Sequence, residues 1–437
     1  MQRAALALAS TLLLLGAFAA GAGAGTKKSS RAAVPGPLGG INLPGLGSGS
    51  TPSDADEEIA VARSLHAKAI RVELAWAVLQ PDGPGALDAR SLVYLDRLLA
   101  DASSSGIAVI ALVDGTPCWA SSAPAALRGG CQSDGRSAAS SWPPSNPADF
   151  AAFVGALAAR YSDKLTALEV WNEPDQANEE YFAGPSKPQR YAALLKAGYT
   201  AIKQAAPGIK VLAGSLVGSN GIFLRELYAA GIKGYYDGLA VHFYTLTLAA
   251  LREFRAVQLA NGDSTPLWLD EFGWSSCYPE QKIQEEQACV TPAVQAQNIT
   301  NIYRSLSRTS YVASDTIYKL HDGRNNQFGM LTDSGARKPS FTALASVLAS
   351  PQRAPSKITL KLRRAGAHAV ASGSAPVGDY MRMEVFKAGS LRFRATFTLD
   401  RFNNYSLSLP SVLGRRGLRV RVYQEWTGRA GAVQKRI

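Results

Sequence analysis

Several features are missing from this 437-residue sequence, and each absence argues against a class of protein. The sequence contains no CxxC pair, and no histidine lies at ligand spacing from a cysteine, which argues against a structural zinc site. No glycine-rich phosphate loop follows the first predicted strand, so a doubly wound dinucleotide-binding sheet is disfavoured. No nucleic-acid-binding motif is present, which makes nucleic acid a poor choice of partner.

Long apolar runs are also scarce, and the one that stands out lies at the N-terminus. Met1–Arg3 is a short basic start, residues 4–20 are uncharged and rich in leucine, and small residues follow. This order predicts a secretory signal peptide over residues 1–24, then a polar linker over 25–37. We therefore expect a secreted or extracytoplasmic protein. A retained membrane anchor is the alternative, although the run is shorter than the ~20 residues that a span requires.

The sequence has only four cysteines, and they form two close pairs along the chain. Cys118 lies near Cys131, and Cys277 lies near Cys289. Four cysteines allow three pairings, and we favour the two local ones because each would close one long loop. In the chain-entropy model, a loop of about 13 residues closed in this way contributes roughly 3 kcal/mol. Disulfide bonds also agree with an oxidising compartment.

The net charge of +12 is confined to the C-terminal part of the chain. Residues 351–437 contain 17 basic and 4 acidic residues, whereas the preceding 350 residues contain 29 and 30. Beyond a proline-containing hinge, apolar residues alternate strictly with polar, mostly basic ones, as in Lys357–Arg363 and in Leu418–Val422. This period predicts a small antiparallel β-sandwich over residues 357–437. We hypothesise that this basic domain tethers the protein to an anionic cell-envelope polymer.

Between these ends, short apolar strands alternate with longer helical stretches. Eight such strands and eight helices follow one another over residues 38–350, which is the count of a (β/α)8 barrel. A doubly wound open sheet is the rival, but it usually has fewer strands. We expect Ser53 or Asp54 to cap the first helix. The predicted fold is therefore an α/β (β/α)8 barrel followed by a β-sandwich, and we expect a monomer.

Two of the predicted strands end in a segment that contains a glutamate. The C-terminal ends of the strands are where the functional side chains of such barrels lie. Strand four ends in the segment EVWNEP with Glu173, and strand seven ends in LWLDEFG with Glu271. The two glutamates are 98 residues apart, close to the ~90 expected for three βα units. Glycosidic bond hydrolysis needs one carboxyl group that donates a proton and one that attacks the anomeric carbon. In a regular strand Asp270 would point away from Glu271, and we expect it to be structural.

These segments resemble a known group of enzymes. EVWNEPD is similar to the strand-four signature of the clan A glycoside hydrolases, and LWLDEFGWS is similar to their strand-seven nucleophile segment. IRVELAW, LVDGTPCWA, DGLAVHFY and FGMLTDSGARKPSFTAL resemble family 39 and its near relatives, including family 5-like enzymes. The resemblance covers roughly residues 38–350. It implies a retaining O-glycosyl hydrolase that acts on a carbohydrate without a metal or cofactor, because an acid, a nucleophile and water suffice.

The resemblance also implies individual roles. Glu173 would be the general acid/base and Glu271 the nucleophile. Further residues would bind the substrate or support the nucleophile: Asn172 on the sugar 2-hydroxyl, Arg71 and Tyr244 on the Glu271 carboxylate, His242 on the same wall, Tyr318 at the end of strand eight, and Trp76, Trp119 and Trp274 as stacking surfaces.

Two departures from the clan leave the substrate open. Tyr318 stands where the clan often has a tryptophan, and Asp114 stands where some relatives have a histidine. A transglycosylase is an alternative that uses the same site. A catalytically inactive carbohydrate-binding barrel is another, although such a barrel would usually have lost one of the two glutamates. The sugar, the linkage and the choice between endo and exo cleavage depend on the loops 114–146 and 274–291.

Overall fold

The computed structural model describes most of the chain after the N-terminal region. The described residues are 37–128, 137–178, 180–218, 220–244, 249–277, 289–306, 311–323, 326–349, 358–375, 381–397, 404–424 and 432–437. The predicted signal peptide lies outside them, as does the linker apart from Pro37. Within the described part of the chain, none of the helices has the length and apolarity needed to cross a bilayer.

Eight parallel strands close into a barrel in chain order, so the predicted (β/α)8 fold is confirmed. The strands are β1 Leu38–Asn42, β2 Ala69–Ala75, β3 Ala108–Asp114, β4 Ala167–Val170, β5 Lys210–Leu216, β6 Gly238–Phe243, β7 Leu267–Phe272 and β8 Val312–Ile317. The helices are α1 Pro52–Ser64, α2 Trp76–Leu79, α3 Ala89–Ser104, α4 Ala125–Arg128, α5 Pro147–Arg160, α6 Lys187–Ala205, α7 Ile222–Ala229, α8 Ala249–Ala260, α9 Pro292–Leu306 and α10 Pro339–Ala349.

The first helix begins earlier than its sequence suggested. Thr51, not Ser53 or Asp54, is the N-cap: its hydroxyl accepts from the Asp54 amide, and the Asp54 carboxylate accepts from the Thr51 amide at 2.8 Å. Pro52 occupies the first helical turn, where its missing N–H costs no hydrogen bond. Asp54 therefore acts as the third residue of a capping box, and not as the cap.

The floor of the barrel is closed by a layer of inward side chains. Ala69, Ile110, Ala167, Leu212, Ala240 and Trp268 form a separate buried cluster inside the barrel. Trp268 supplies most of the volume, and Gly238 leaves room for it, because a Cβ at position 238 would collide with the indole ring. Apolar side chains thus fill one end of the barrel interior, and the ionisable groups lie towards the other end.

The C-terminal part of the chain forms two antiparallel sheets, as predicted for a β-sandwich. One has the order β13-β10-β9 and the other the order β12-β11-β14-β15. Their strands are β9 Lys361–Ala365, β10 His368–Ser374, β11 Met381–Lys387, β12 Ser390–Phe397, β13 Asn404–Ser408, β14 Leu418–Gln424 and β15 Val433–Arg436. Side chains from both sheets share one core, which includes Met383, Val420 and Tyr405.

One of the two predicted disulfide bonds joins described residues. Cys277 and Cys289 are bonded, with their Cα atoms 5.2 Å apart, and both side chains are buried. Cys131 lies outside the described residues, so the predicted Cys118–Cys131 bond stays a prediction. The observed bond ties the segment that follows β7 to the residues that precede α9.

Candidate active site

Two residues just after β4 have left-handed backbone conformations. Trp171 has φ of 71° and Glu173 has φ of 42°, a region that non-glycine residues rarely adopt. The turn at Trp171 sends its ring outward against Phe150 and Phe182, although strand alternation after Glu169 would have sent it inward. Such backbone strain persists where the surrounding structure enforces it, and it concentrates at functional sites.

A bulge near the end of β7 brings two neighbouring carboxylates to the same side. Val241 pairs with Leu269 and His242 pairs with Glu271, so Asp270 is the extra residue on β7. As a result Asp270 does not point away from Glu271, and the prediction from regular alternation is wrong. Asp270 Oδ2 lies 3.4 Å from Arg71 Nε, while Glu271 Oε1 lies 2.7 Å from Arg71 Nη1. A bulge allows this arrangement because it shifts the strand by one residue.

Arg71 is the buried cation that organises the site. It is the third residue of β2, near the start of the strand and not at its end. Its Nε and Nη2 atoms donate to the two oxygens of Glu169 at 2.8 and 3.0 Å, and Nη1 donates to Glu271. The same guanidinium donates to the side-chain oxygens of Asn42 and Asn172, at 3.0 and 3.2 Å. Because its guanidinium group makes two hydrogen bonds to the Glu169 carboxylate, Arg71 is fixed in position.

The carboxylate of Glu271 is held in its charged form. Oε1 accepts from Arg71, and Oε2 accepts from the Tyr244 hydroxyl at 2.7 Å. Burial alone would raise the pKa of Glu271, but His242, Arg71 and Tyr244 together lower it below its usual value. The predicted contacts of Arg71 and Tyr244 with this carboxylate are present, and they favour an anion that is ready to attack.

His242 lies between the two glutamates. Its Nδ1 is 2.5 Å from Glu173 Oε1 and 3.5 Å from Glu271 Oε2, and the ring is buried. Although burial lowers the pKa of His242, the charges of Glu271 and Glu173 raise it to about 9. Facing oxygens of Glu173 and Glu271 lie within 4.8 Å of each other, with the His242 nitrogen as close to both.

Glu173 has a different environment from Glu271. Its Oε1 faces His242, and its Oε2 accepts from Gln176, which lies one turn further along the chain. Beside it, the Oδ1 atom of Asn172 is engaged by Arg71, so the Asn172 amide presents its NH2 group as a donor. Glu173 therefore lacks the guanidinium that holds Glu271, and the two carboxyl groups are electrostatically distinct.

Tyr318 belongs to an aromatic wall on the Tyr244 side of the site, and its predicted contact with the substrate stays a prediction. The Tyr318 ring centroid is 6.1 Å from that of Tyr244 and 5.8 Å from that of Phe328, and all three rings meet edge to face. Tyr318 follows β8, and its peptide bond to Lys319 is cis. The side chain is half-buried, so part of it faces the opening of the barrel.

The three tryptophans predicted as stacking surfaces differ in their access to solvent. Trp76 is fully buried against Phe153 and Trp119, so its prediction is wrong: the ring stacks inside the protein. Trp274 is 4% exposed and belongs to the main core, which also removes it from the substrate surface. Trp119 is half-buried and donates its Nε1 hydrogen to Gln80 O at 2.9 Å, so a substrate contact by Trp119 stays a prediction.

A small acidic cavity opens at the end of β3. It has a volume of about 160 Å³ and is lined by Asp114, Gly115, Ser137, Ser140, Ser141, Glu180 and Tyr181. Burial raises the pKa of Asp114 to about 7. Burial raises the pKa of Tyr181 most, and the charges of Glu173, Glu180 and Glu271 raise it further, so Tyr181 lies within the field of both catalytic candidates. The cavity therefore adjoins the glutamate pair.

Two sets of side chains have donor atoms of the kinds that bind metal ions: Glu169, His242 and Asp270, and Glu173, His242 and Glu271. In both sets carboxylate oxygens already accept from Arg71, and Glu271 also accepts from Tyr244. These neighbours supply the positive charge and hydrogen bonds that a metal ion would otherwise provide. The prediction of a site without metal stays a prediction.

Sequence reasoning missed several residues that shape the site. Glu169 and Asp270 are buried in the barrel and surround Arg71, and Asn42 orients the same guanidinium. Gln176 supports Glu173. Two signals were available in the sequence: a glutamate in the middle of an apolar strand, ALEV, and a glutamine three residues after Glu173 in a turn.

Comparisons with known proteins agree with this geometry. Residues 142–341 match the family model described as glycosyl hydrolase catalytic core, and this segment contains Glu173 and Glu271. No curated protein sequence matches the chain.

Solved structures share the fold at low sequence identity. A GH39 enzyme from Xanthomonas axonopodis pv. citri aligns with a TM-score of 0.55 and 15% identity, covering 87% of this chain and 93% of that chain. A GH39 β-xylosidase from Caulobacter crescentus gives 0.52 and 19%, covering 80% and 84%. A GH5_18 enzyme from Streptomyces cattleya in complex with GlcNAc gives 0.52 and 18%, covering 73% and 82%. Together with the family match, these neighbours confirm the predicted resemblance to clan A, and the barrel is that of an O-glycosyl hydrolase.

Proposed function

We propose that this glycosidase is a secreted enzyme that cleaves a poly- or oligosaccharide with retention of anomeric configuration, through a covalent glycosyl-enzyme. The observation that carries the proposal is the short approach of Glu173 to Glu271, whose facing oxygens lie within 4.8 Å. Retaining enzymes hold their carboxyl groups ~5–5.5 Å apart, whereas inverting enzymes leave ~6.5–9.5 Å for a water molecule. The disulfide between Cys277 and Cys289 supports export, because such bonds persist in oxidising compartments.

In the first step, Glu271 attacks the anomeric carbon. Arg71 and Tyr244 hold its carboxylate in place, and its lowered pKa keeps it ionised. Glu173 gives its proton to the glycosidic oxygen as the bond from that oxygen to the anomeric carbon breaks. The aglycone leaves as an alcohol, and a new ester bond joins the sugar to Glu271.

In the second step, Glu173 acts as a base. It removes a proton from a water molecule, and the water oxygen attacks the anomeric carbon while the ester bond to Glu271 breaks. The sugar is released with the water oxygen on its anomeric carbon. The Glu271 carboxylate is regenerated, and Glu173 is again protonated. His242 contacts both carboxyl groups, so its positive charge lies beside whichever of the two is ionised at each step. We expect the Asn172 amide to donate to the sugar 2-hydroxyl.

The acidic cavity supports a neutral glycone. Asp114 and Glu180 line it with three serines and Tyr181, so it offers many hydrogen-bond acceptors and no described basic side chain. Sugar hydroxyls can donate to these oxygens, whereas the carboxylate of a uronic acid would meet the Glu180 carboxylate and, above pH 7, an ionised Asp114. We therefore expect aryl glycosides of neutral sugars to be cleaved in preference to aryl glucuronides. Transglycosylation remains the alternative on the same residues, with a sugar in place of water.

The test separates the two glutamates. The Glu271→Ala variant should lose turnover, and azide should restore it with a glycosyl azide of inverted configuration as product, because azide occupies the place of the nucleophile. The Glu173→Ala variant should retain activity on aryl glycosides with good leaving groups, since these need no acid. Substrates are first found by screening aryl glycosides and cell-wall polysaccharides, and the product anomer is read by NMR.

A matched control is Glu180→Ala, which removes a carboxylate near the site that we give no covalent or proton-transfer role. It should form no azide adduct and should hydrolyse the same substrate without azide. Inverted product from the parent enzyme, or full activity of both the Glu173 and Glu271 variants, would refute the double displacement.

A further inference from the structure

One face of the four-stranded C-terminal sheet is dominated by arginine. Strand alternation directs Met383, Val385, Val420 and Val422 into the core, so the residues between them lie on the opposite face. Five arginines share that side of the sheet, and Arg392 lies beside them as the extra residue at a bulge in β12. We call these six residues the arginine face: Arg382, Arg392, Arg394, Arg419, Arg421 and Arg436.

The centre of the arginine face is ordered by a buried carboxylate. Glu384 is fully buried, and it is the one acidic residue among the described residues of this face. Arg421 donates to its Oε2 at 3.2 Å, and Arg394 lies 3.5 Å from its Oε1. Because Glu384 neutralises one unit of charge among six, the face keeps a large positive excess.

Apolar groups lie among these charges. The guanidinium of Arg419 lies 4.3 Å from the Phe386 ring centroid, and that of Arg421 lies 5.2 Å away. Leu391 pairs with Phe386 across the sheet and is 42% exposed. The face therefore combines guanidinium groups with exposed carbon surface, a combination that suits ligands with both anionic groups and C–H faces.

Such a concentration of like charge is unfavourable unless something offsets it. Residues two apart on a strand are separated by about 7 Å, so neighbouring arginines such as Arg419 and Arg421 repel within one Debye length at physiological salt. The excess is a property of the whole region, since residues 351–437 contain 17 basic and 4 acidic residues. An anionic polymer laid across the face would relieve this repulsion.

We propose that the arginine face binds a carboxylated polysaccharide and anchors the enzyme to it. Guanidinium groups pair with carboxylates, and Phe386 and Leu391 offer apolar surface to the C–H faces of the sugar rings. A nucleic acid could bind through the positive charge alone, without the apolar groups of the face. We favour a polysaccharide because the catalytic barrel on the same chain acts on carbohydrate. The acidic cavity disfavours a uronate in the barrel, so the anchoring polymer differs from the polymer that is cleaved.

The experiment measures binding of the full chain to polygalacturonate by calorimetry. The test variant carries Arg392→Gln, Arg419→Gln and Arg436→Gln, which leaves in place the two arginines that hold Glu384. The control variant carries Arg63→Gln, Arg90→Gln and Lys210→Gln, three exposed cations of the barrel region, so that both variants lose the same charge. Equal melting temperatures of the three proteins verify that the folded state is preserved.

We expect the parent and the control variant to bind equally, and the test variant to bind at least tenfold more weakly. Raising NaCl from 50 to 200 mM should weaken parental binding roughly 10- to 100-fold, as expected for about four charge contacts. Methyl-esterified polygalacturonate, which has the same backbone without the charges, should not bind. Equal binding by the parent and the test variant, binding of the esterified polymer, or tighter binding of single-stranded DNA than of polygalacturonate would each overturn the proposal.

Discussion

The placement of His242 between two glutamates gives a sharp prediction about pH. In the proposed mechanism Glu271 attacks only as an anion, so activity should fall as the pH drops through its pKa. His242 has its pKa raised to about 9, so it is a cation at neutral pH and lowers the pKa of Glu271. The His242→Gln variant keeps a hydrogen-bond donor and removes the charge. The pKa of Glu271 should therefore rise, and the acid limb of the pH profile should move to higher pH.

The size of the shift follows from the geometry. His242 Nδ1 lies 3.5 Å from Glu271 Oε2. At an effective dielectric constant of about 20, two unit charges at this distance interact by about 5 kcal/mol, or roughly 3.5 pKa units. Relaxation and the remaining charge of Arg71 reduce this figure, so we expect a rise of roughly 2 pKa units. Because both groups are buried, the shift should persist at high salt.

The assay is the pH dependence of kcat/KM on an aryl glycoside with a good leaving group, for which bond breaking needs no acid. The control is Tyr318→Phe, which alters a neutral ring of the same wall and should leave the acid limb within about half a unit. If the acid limb of the His242→Gln variant coincided with that of the parent, His242 would be neutral in the free enzyme. The assignment of charge in the site would then be wrong.

Three further predictions concern stability and are tested by urea unfolding. Burial raises the pKa of Asp315 well above its usual range, so the folded chain holds a proton there that the unfolded chain releases above pH ~4. Asp315→Asn should therefore stabilise the protein by about 1–2 kcal/mol at pH 7, a gain that vanishes as the pH falls towards 4; an equal gain at both pH values would contradict this. Gly238→Ala should cost about 1–3 kcal/mol of unfolding free energy, because the alanine Cβ would collide with Trp268. An unchanged urea midpoint would mean that Trp268 moves aside without cost. Replacing Cys277 and Cys289 together by alanine should cost roughly 3 kcal/mol, and a reductant should close most of this gap between parent and variant, because it breaks in the parent the bond that the variant lacks; a gap that a reductant leaves unchanged would contradict this.

Local sequence patterns were sufficient to predict the barrel. Apolar runs such as IAVIALV and PLWLD, separated by helical stretches, correspond to β3 and β7 within a few residues. The alternation of Met383 and Val385 with charged neighbours likewise corresponds to the second sheet. These predictions succeed because burial of apolar side chains imposes one period on a strand and another on a helix.

The site was predicted where the strand order alone brings side chains to one end of the barrel. Glu173, Glu271, Arg71, His242 and Tyr244 converge in this way, although Glu173 has a left-handed backbone and Glu271 follows a bulge. The position of Asp270 could not be read from alternation, because a bulge depends on the pairing of β6 with β7 and not on the sequence of β7 alone.

Burial of the aromatic rings was also beyond local reasoning. A tryptophan after a strand can face a sugar or a helix, and the neighbours that decide this lie far away in sequence. Trp76 packs against Phe153 of α5, which fills the space behind the barrel. Trp171 turns outward because its backbone is left-handed, a conformation that no sequence period announces.

The closed floor described above makes the barrel a cup with a single mouth. The departing aglycone and the incoming water must pass through the same opening, because Trp268 and its neighbours block the other end. In the proposed double displacement, the molecule that first occupies the space left by the aglycone, water or an alcohol, takes the sugar from Glu271. The balance between hydrolysis and glycosyl transfer therefore depends on which acceptor molecule enters the open end of the barrel first. The loops that border it can change the product while the catalytic glutamates stay the same.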